Sequence, residues 1–325
     1  MSDHPALTVS KVTHRYGQRV AVDELSLEVS QGEVFAFLGP NGSGKTTLFR
    51  LLSTLIPLQE GQVSILGKDL AKEATKVRQQ LGVVFQAASL DKKLTVSENL
   101  KHQGRLYGLS GQSLSQRQEE TLAAVGLSDR RNDLVETLSG GMRRRVELAK
   151  GLLHHPRVLL LDEPSTGLDP GARSDLWKYL GKLKAEQGVT IILTTHLLDE
   201  AERADRLAIL HAGKLAALDT AENLRASLGG DTITIQSTDS QRLADEIAQQ
   251  FQCETKVIED QLRLEQSDGP VWIAKLMEAF PERIQSITLG KPTLEDVFID
   301  RTGHRFFGDE TGHVETRTTK RKKKK

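Results

Sequence analysis

Gly39-Pro40-Asn41-Gly42-Ser43-Gly44-Lys45-Thr46, followed by Thr47, is the stretch on which the fold turns. Its spacing fits the phosphate-loop pattern GxxxxGK[ST]; it follows the apolar run Val34 to Leu38 and precedes a helical pattern, Thr47 to Leu55. A continuous apolar run suits a parallel strand covered on both faces. The glycines let successive backbone N–H groups turn inward around phosphate oxygens, and the helix start adds its positive end. In such a cradle Lys45 reaches the β- and γ-phosphates and the Thr46 hydroxyl ligates Mg²⁺. A glycine-rich turn of no special purpose is the plain alternative, and it does not call for a strand in front and a helix behind.

Two further apolar runs, Val158 to Leu161 and Val189 to Leu193, read as neighbours of the first strand. The former ends in Asp162-Glu163-Pro164, two carboxylates at the carboxyl end of a buried strand, where open α/β sheets hold their ligands. Asp162 suits a Mg²⁺ partner, and Glu163 a base or orienter for an attacking water. Alone, such a pair is more often a solvated turn; the phosphate loop in the same chain reverses that balance. Period-2 alternation over Leu7 to Thr13 and Leu25 to Val29 predicts an antiparallel β-subdomain at the start. Leu/Val spacings of three and four between Thr95 and Leu153 predict an inserted helical subdomain.

Leu138-Ser139-Gly140-Gly141-Met142, leading into the basic helix Arg143 to Glu147, resembles the signature motif of ABC ATPases. Lys45, Gln86, Ser139, Asp162 and His196 follow in that family's order, and the resemblance spans about residues 7 to 220. It implies a P-loop NTPase of the ABC ATPase type over residues 5–220, with an α/β core, the antiparallel β-subdomain and the helical insertion. It implies ATP and Mg²⁺ as cofactors, and ATP hydrolysis as the reaction. By the same resemblance Tyr16 stacks on adenine, Gln86 contacts Mg²⁺ and the attacking water, His196 binds the γ-phosphate, and Ser165 to Asp169 touches an opposing subunit. Taken singly, Tyr16 is an ordinary strand tyrosine, Gln86 a surface glutamine and His196 a polar cap. The signature is itself a second helix-start anion site, and one ATP cannot fill both sites of one chain. The family's answer is a head-to-tail pair, each ATP lying between one copy's phosphate loop and Ser139-Gly140-Gly141 of the other. Met142 stands where many members have glutamine.

Past Asp219 such motifs stop. Strand Thr232 to Ser237, helix Gln241 to Phe251, strands Thr255 to Ile258 and Gln261 to Glu265, helix Pro270 to Phe280 and strand Arg283 to Leu289 predict a ferredoxin-like βαββαβ unit within a small α+β domain, 229–303. Pro292 to Phe298 with Thr302-Gly303 resembles a C-terminal motif of the daunorubicin-type exporter branch, and Phe85-Gln86, Leu90-Asp91 and Leu94-Thr95 fit it too. The branch implies export through a separate ABC-2 type permease, a second ATPase subunit (a homodimer, every catalytic motif being intact) and a peripheral place on the cytoplasmic face of the membrane. The bland account of the C-terminal motif is a capped amphipathic helix with Leu294, Val297 and Phe298 on one face.

Composition narrows the classes. The single cysteine, Cys253, excludes an intrachain disulfide framework, and no segment approaches the roughly 18 apolar residues of a spanning helix. The 44 basic and 44 acidic residues balance, yet residues 317–325 hold seven of the basic ones and no acid, leaving 37 against 44 elsewhere. An acidic body disfavours a nucleic-acid surface. Residues 304–325 read as a disordered basic tail, either a solvated end or a contact for an anionic membrane surface. The contrasting function is a soluble ABC ATPase acting on ribosomes or nucleic acid; one phosphate loop, no Cys/His cluster and the acidic body speak against it.

Overall fold

The computed structural model describes residues 4–258 and 261–306; of the tail expected to be disordered, 304–306 are instead ordered, because Phe306 packs against Phe298 in the core, and the rest, from 307 onward, lies outside the described residues. Strands β1 (Leu7–Tyr16) and β2 (Arg19–Val29) pair antiparallel, from Leu7↔Val29 at one end to Tyr16↔Arg19 at the other. Strand β3 (Val34–Leu38) runs through the glycine loop into α1 (Lys45–Leu52). That helix begins two residues before the sequence pattern suggested and stops three short of Leu55, because Ser53 ends the turn and Thr54 takes a positive φ of 61°. Strands β4 (Glu60–Ile65) and β5 (Lys68–Asp69) return to the first sheet, ordered β2-β1-β4-β5.

After α2 (Ala74–Gln80) and β6 (Leu81–Val84) come the inserted helices α3 (Val96–Leu106), α4 (Gly111–Ala124) and α5 (Gly140–Leu152). Helix α3 starts in a full capping box, Thr95 with Glu98, which fixes where the insertion leaves the core. Then β7 (Val158–Asp162), α6 (Pro170–Gln187), β8 (Thr190–Thr195), α7 (Leu198–Ala201), β9 (Arg206–His211) and β10 (Lys214–Asp219) complete a second sheet, ordered β10-β9-β3-β8-β7-β6. All its pairings are parallel except β10 with β9.

Strand β3 shows why the central runs are uninterrupted. Phe35 and Phe37 pack with α1 and the antiparallel sheet, whereas Val34, Ala36 and Leu38 pack with the inserted helices. A strand buried on both faces admits no polar alternation, and each large side chain so buried contributes about 1.5–3 kcal/mol.

The remaining elements are α8 (Ala221–Ala226), β11 (Asp231–Ser237), α9 (Ser240–Phe251), β12 (Lys256–Ile258), β13 (Gln261–Gln266), α10 (Gly269–Ala279), β14 (Ile284–Gly290) and α11 (Leu294–Thr302). The sheet order β12-β13-β11-β14, antiparallel throughout, is the ferredoxin-like arrangement expected from the βαββαβ order. Helix α11 is both the capped amphipathic helix and a joint. Leu294, Val297 and Phe298 enter the core that holds the inserted helices, while Asp296 and Asp300 pair with Arg263 and Lys256 of the C-terminal sheet. Among the described residues no helix is long and apolar enough to cross a membrane.

Candidate functional site

The glycine loop leaves β3 at Gly39, where no side chain fits: a Cβ would lie 2.4 Å from the Leu210 carbonyl oxygen. Gly44 caps α1 at φ 104°, and a Cβ there would lie 2.5 Å from the Ala21 carbonyl oxygen. No side chain caps α1, so its first N–H groups remain available to an anion. Lys45 is buried and folds back onto its own loop, Nζ donating to the carbonyls of Gly39 (2.6 Å) and Pro40 (3.0 Å). Burial pulls its pKa down, against the attraction of Glu163 and Asp162. The Ser43 Oγ is buried without a partner, Asn41, Gly42 and Thr46 are exposed, and Thr47 turns into the core. Tyr16 ends the first hairpin, and its register partner Arg19 brings a guanidinium within 3.5 Å of the position a Gly42 Cβ would occupy. Half-exposed, Tyr16 makes an edge contact with His14, the ring centroids 4.9 Å apart.

Register brings the chemistry to the same end of the sheet, since Leu38 pairs with Thr195 and Asp162 with Thr194. Thr194 Oγ1 donates to Asp162 Oδ1 (2.7 Å); burial raises the Asp162 pKa, and neighbouring Glu163 adds to the rise while Lys45 and Arg144 oppose it. Glu163 adopts φ 42°, a left-handed conformation uncommon for a residue with a side chain, and its N–H is held by the Thr194 carbonyl and hydroxyl. That turn aims the carboxylate out of the strand line. Gln86 Nε2 donates to Glu163 Oε2 (3.0 Å), Thr166 Oγ1 to the same oxygen (3.2 Å), and His196 Nδ1 stands 3.2 Å from Oε1. Gln86, Glu163 and His196, some 110 residues apart in sequence, thus form one cluster.

Ser139 is the N-cap of α5, its hydroxyl accepting from Met142 N (3.2 Å), and Asp169 caps α6 the same way from Ala172 N (2.9 Å). Ser139 and Gly141 share a hollow of about 320 Å³ with Asp169, and Gly140 borders another with Gln86 and Glu163. Among the described residues none of 39–46 borders either hollow. The chain therefore brings the loop and the carboxylates together and leaves the signature apart from the loop, with Ser139 and Gly140 exposed.

Three residues had escaped the sequence reading. Arg144, one of three consecutive arginines, is the one that turns inward: it donates to the carbonyls of Pro164 (2.7 Å), Phe85 (2.6 Å) and Asp162 (3.2 Å), tying the signature helix to both Gln86 and Glu163 segments. Glu147 accepts from Ser89 N (2.5 Å) and Oγ (2.6 Å), a second tie to the same segment. Glu200, almost wholly buried, accepts from Ser165 and from Thr195 (2.7 Å), joining the Ser165–Asp169 loop to the residue before His196. Burial raises its pKa, against the Thr195 hydrogen bond and Arg173. A lone acid between apolar neighbours, as in Val146-Glu147-Leu148, was the available signal for Glu147; nothing local singles out Glu200.

Comparison with known proteins agrees with this geometry. The family model described as "ABC transporter" matches residues 22–166, and that of the "ATP-binding protein DrrA1-3-like, C-terminal domain" matches residues 220–302. The daunorubicin resistance ATP-binding protein DrrA3 of Streptomyces coeruleorubidus is 39% identical over 307 residues, covering 92% of this chain and 96% of that protein. The linearmycin resistance ATP-binding protein LnrL of Bacillus subtilis is 34% identical over 91% of this chain and 98% of its own length. Among solved structures, the ADP conformation of MJ1267, an ATP-binding cassette of an ABC transporter, aligns with TM-score 0.63 at 27% identity, covering 68% of this chain and 92% of that one.

Proposed function

Because this chain belongs to the ATP-binding proteins of ABC transporters, we propose that it powers export through a separate ABC-2 type membrane permease, as a pair of identical copies on the cytoplasmic face of the membrane. Residues 5–220 are the ATPase unit and 229–303 the C-terminal unit. ATP lies on Gly39 to Thr47 of one copy, with Tyr16 against the adenine and Ser139, Gly140, Gly141 and Asp169 of the other copy closing over the phosphates. One observation carries the reading: Gln86, Thr166 and His196 converge on Glu163 beside the Lys45 loop, while the signature's helix start faces outward, away from that loop. Relatives named for resistance to exported compounds support the export direction, and the alternative of a soluble ribosomal or nucleic-acid ATPase finds no support among them.

Glu163 orients the attacking water, Gln86 holds Glu163 and the water in line, and His196 meets the γ-phosphate. Lys45 exchanges its two loop carbonyls for phosphate oxygens as ATP enters. The oxygen donors Thr46, Asp162 and Gln86 suit a hard cation, with Asp162 fixed on one oxygen by Thr194 and free on the other. Bound there, Mg²⁺ supplies charge neutralisation for the β- and γ-phosphates. Closing two copies over ATP shifts the population toward the dimer, and hydrolysis releases it.

The permease seats against the end of α3. Leu106 (82% exposed) and Tyr107 stand there beside a hollow lined by Phe85, Gln103 and His154, one residue from Gln86 in sequence. Movement of a docked partner reaches the site through Phe85-Gln86 and the Arg144 clamp. The decisive experiment is the solution mass of Glu163→Gln protein with and without Mg-ATP. A shift from monomer to dimer is expected; a monomer that demonstrably binds ATP would overturn the paired-copy mechanism.

A further inference from the structure

Between α11 and the polar face of the C-terminal sheet lies a cavity of about 260 Å³, and we propose that it binds a small hydroxylated primary amine. Strand pleating builds its floor. Leu262 and Leu264 of β13 and Ile233 of β11 face α9 and α10, so the alternate residues Thr232, Arg263 and Glu265 face α11, joined by Lys256 through its register with Arg263. Those four border the cavity together with Glu254 and Asp296.

The charges there do not cancel. Lys256 donates to Asp300 and Arg263 to Asp296, so α11 neutralises both cations. Glu265 and Glu254 carry no hydrogen bond and no ion pair within 4 Å among the described residues, which leaves two carboxylates facing the space. Burial pushes the Glu265 pKa up; Lys256 opposes this, and the carboxylates of Asp300, Asp296 and Glu254 add to the rise. A cation brought in from outside relieves all of these.

The second observation is independent of charge. Thr232 is 6% exposed, and its Oγ1 is buried with no hydrogen-bond partner; Arg263 Nε is a buried donor in the same condition. Leaving a buried polar group unmet costs about 1–3 kcal/mol, so each is placed to meet something outside the described residues. Ligand hydroxyls can accept from Arg263 Nε and exchange a hydrogen bond with Thr232, while the ammonium meets Glu265 and Glu254. Leu228 and Ile299 offer apolar surface to the carbon frame. At roughly 30 Å³ for each water-sized group, the space suits on the order of ten non-hydrogen atoms.

The location makes the site regulatory. The apolar side of α11 is embedded in the ATPase core, and its acidic side is tied to the sheet by two ion pairs. An amine that bridges sheet and helix stiffens the joint between the two units. The binding itself does not depend on the transport reading, since its readout is heat rather than turnover.

The test is calorimetric titration of the full chain with glucosamine, using N-acetylglucosamine, which keeps every hydroxyl and loses the charge, and inorganic phosphate as comparators. Saturable binding of glucosamine alone is expected. Glu265→Gln should weaken it at least about tenfold, the loss of one charge-assisted hydrogen bond, and Thr232→Val several-fold, with ATP binding unchanged in both as the check on folding. No saturable heat in the wild type, equal affinity in a folded Glu265→Gln protein, or binding of phosphate or the acetylated sugar instead would each overturn the proposal.

Discussion

The loop at Gly39–Thr46 and the turn at Ser139–Gly141 are both helix starts of the kind that receive anions, yet the protein builds them in opposite ways. In the first, Ser43 and Lys45 are buried, Lys45 is bound to its own loop, and a Cβ on Gly39 would strike backbone. In the second, Ser139 and Gly140 are exposed, and a Cβ on Gly140 would meet nothing within 4 Å. A receptor completed within one chain is close-packed by that chain. On the proposed reading the second surface meets a ligand carried by another copy; it is kept open, and Gly140 is unexplained by any contact among the described residues, whereas a Cβ on Gly141 would lie 3.1 Å from that of Ala172.

Five substitutions would break or sharpen this contrast. Glu163→Gln should lower ATP turnover about 10³-fold, within the span of a lost general base, while leaving both helix starts intact; single-turnover kinetics would measure it. Lys45→Ala should weaken ATP binding about 100-fold in the isolated monomer, read by nucleotide titration, since the phosphate contact replaces two internal hydrogen bonds with a stronger charge-assisted pair. Gly39→Ala should cost about 2 kcal/mol of stability through overpacking, whereas Gly140→Ala should change it by less than about 0.5 kcal/mol; urea unfolding of both would decide whether one site is internal and the other external. Ser139→Ala should weaken ATP-driven dimerisation about tenfold in a Glu163→Gln background and leave monomer nucleotide affinity as it was. Equal loss of monomer affinity would erase the distinction.

Most of the fold was legible because its signals are local or periodic. Continuous apolar runs announced β3, β7 and β8, and the predicted βαββαβ order matches the C-terminal sheet with ends shifted by a residue or so. Short pieces such as β5 and β6 went unread, since two or four residues carry no period. Within the candidate site Gln86 and His196 stand beside Glu163, but the bonds that hold the cluster came from elsewhere. Arg144 could be seen only as one of three arginines, and its inward turn follows from how α5 lies on β6 and β7. Glu200 could not be told from Asp199 or Glu202 until α7 was packed against β8, leaving it alone of the three wholly buried.

The amino-acid sequence by itself determined where the backbone must bend and bind: Gly39, Gly42, Gly44 and Lys45 at the end of an apolar strand, Ser139-Gly140-Gly141 at the head of a helix, and two carboxylates closing another strand. Such features depend on neighbours a few residues away, so spacing suffices to read them. The tertiary structure alone decided which arginine clamps the site, which acid is buried under His196, and how α11 holds the C-terminal sheet to the ATPase core. Those outcomes join residues up to 59 positions apart, and they are set by packing and by the desolvation of charges, which no local pattern carries.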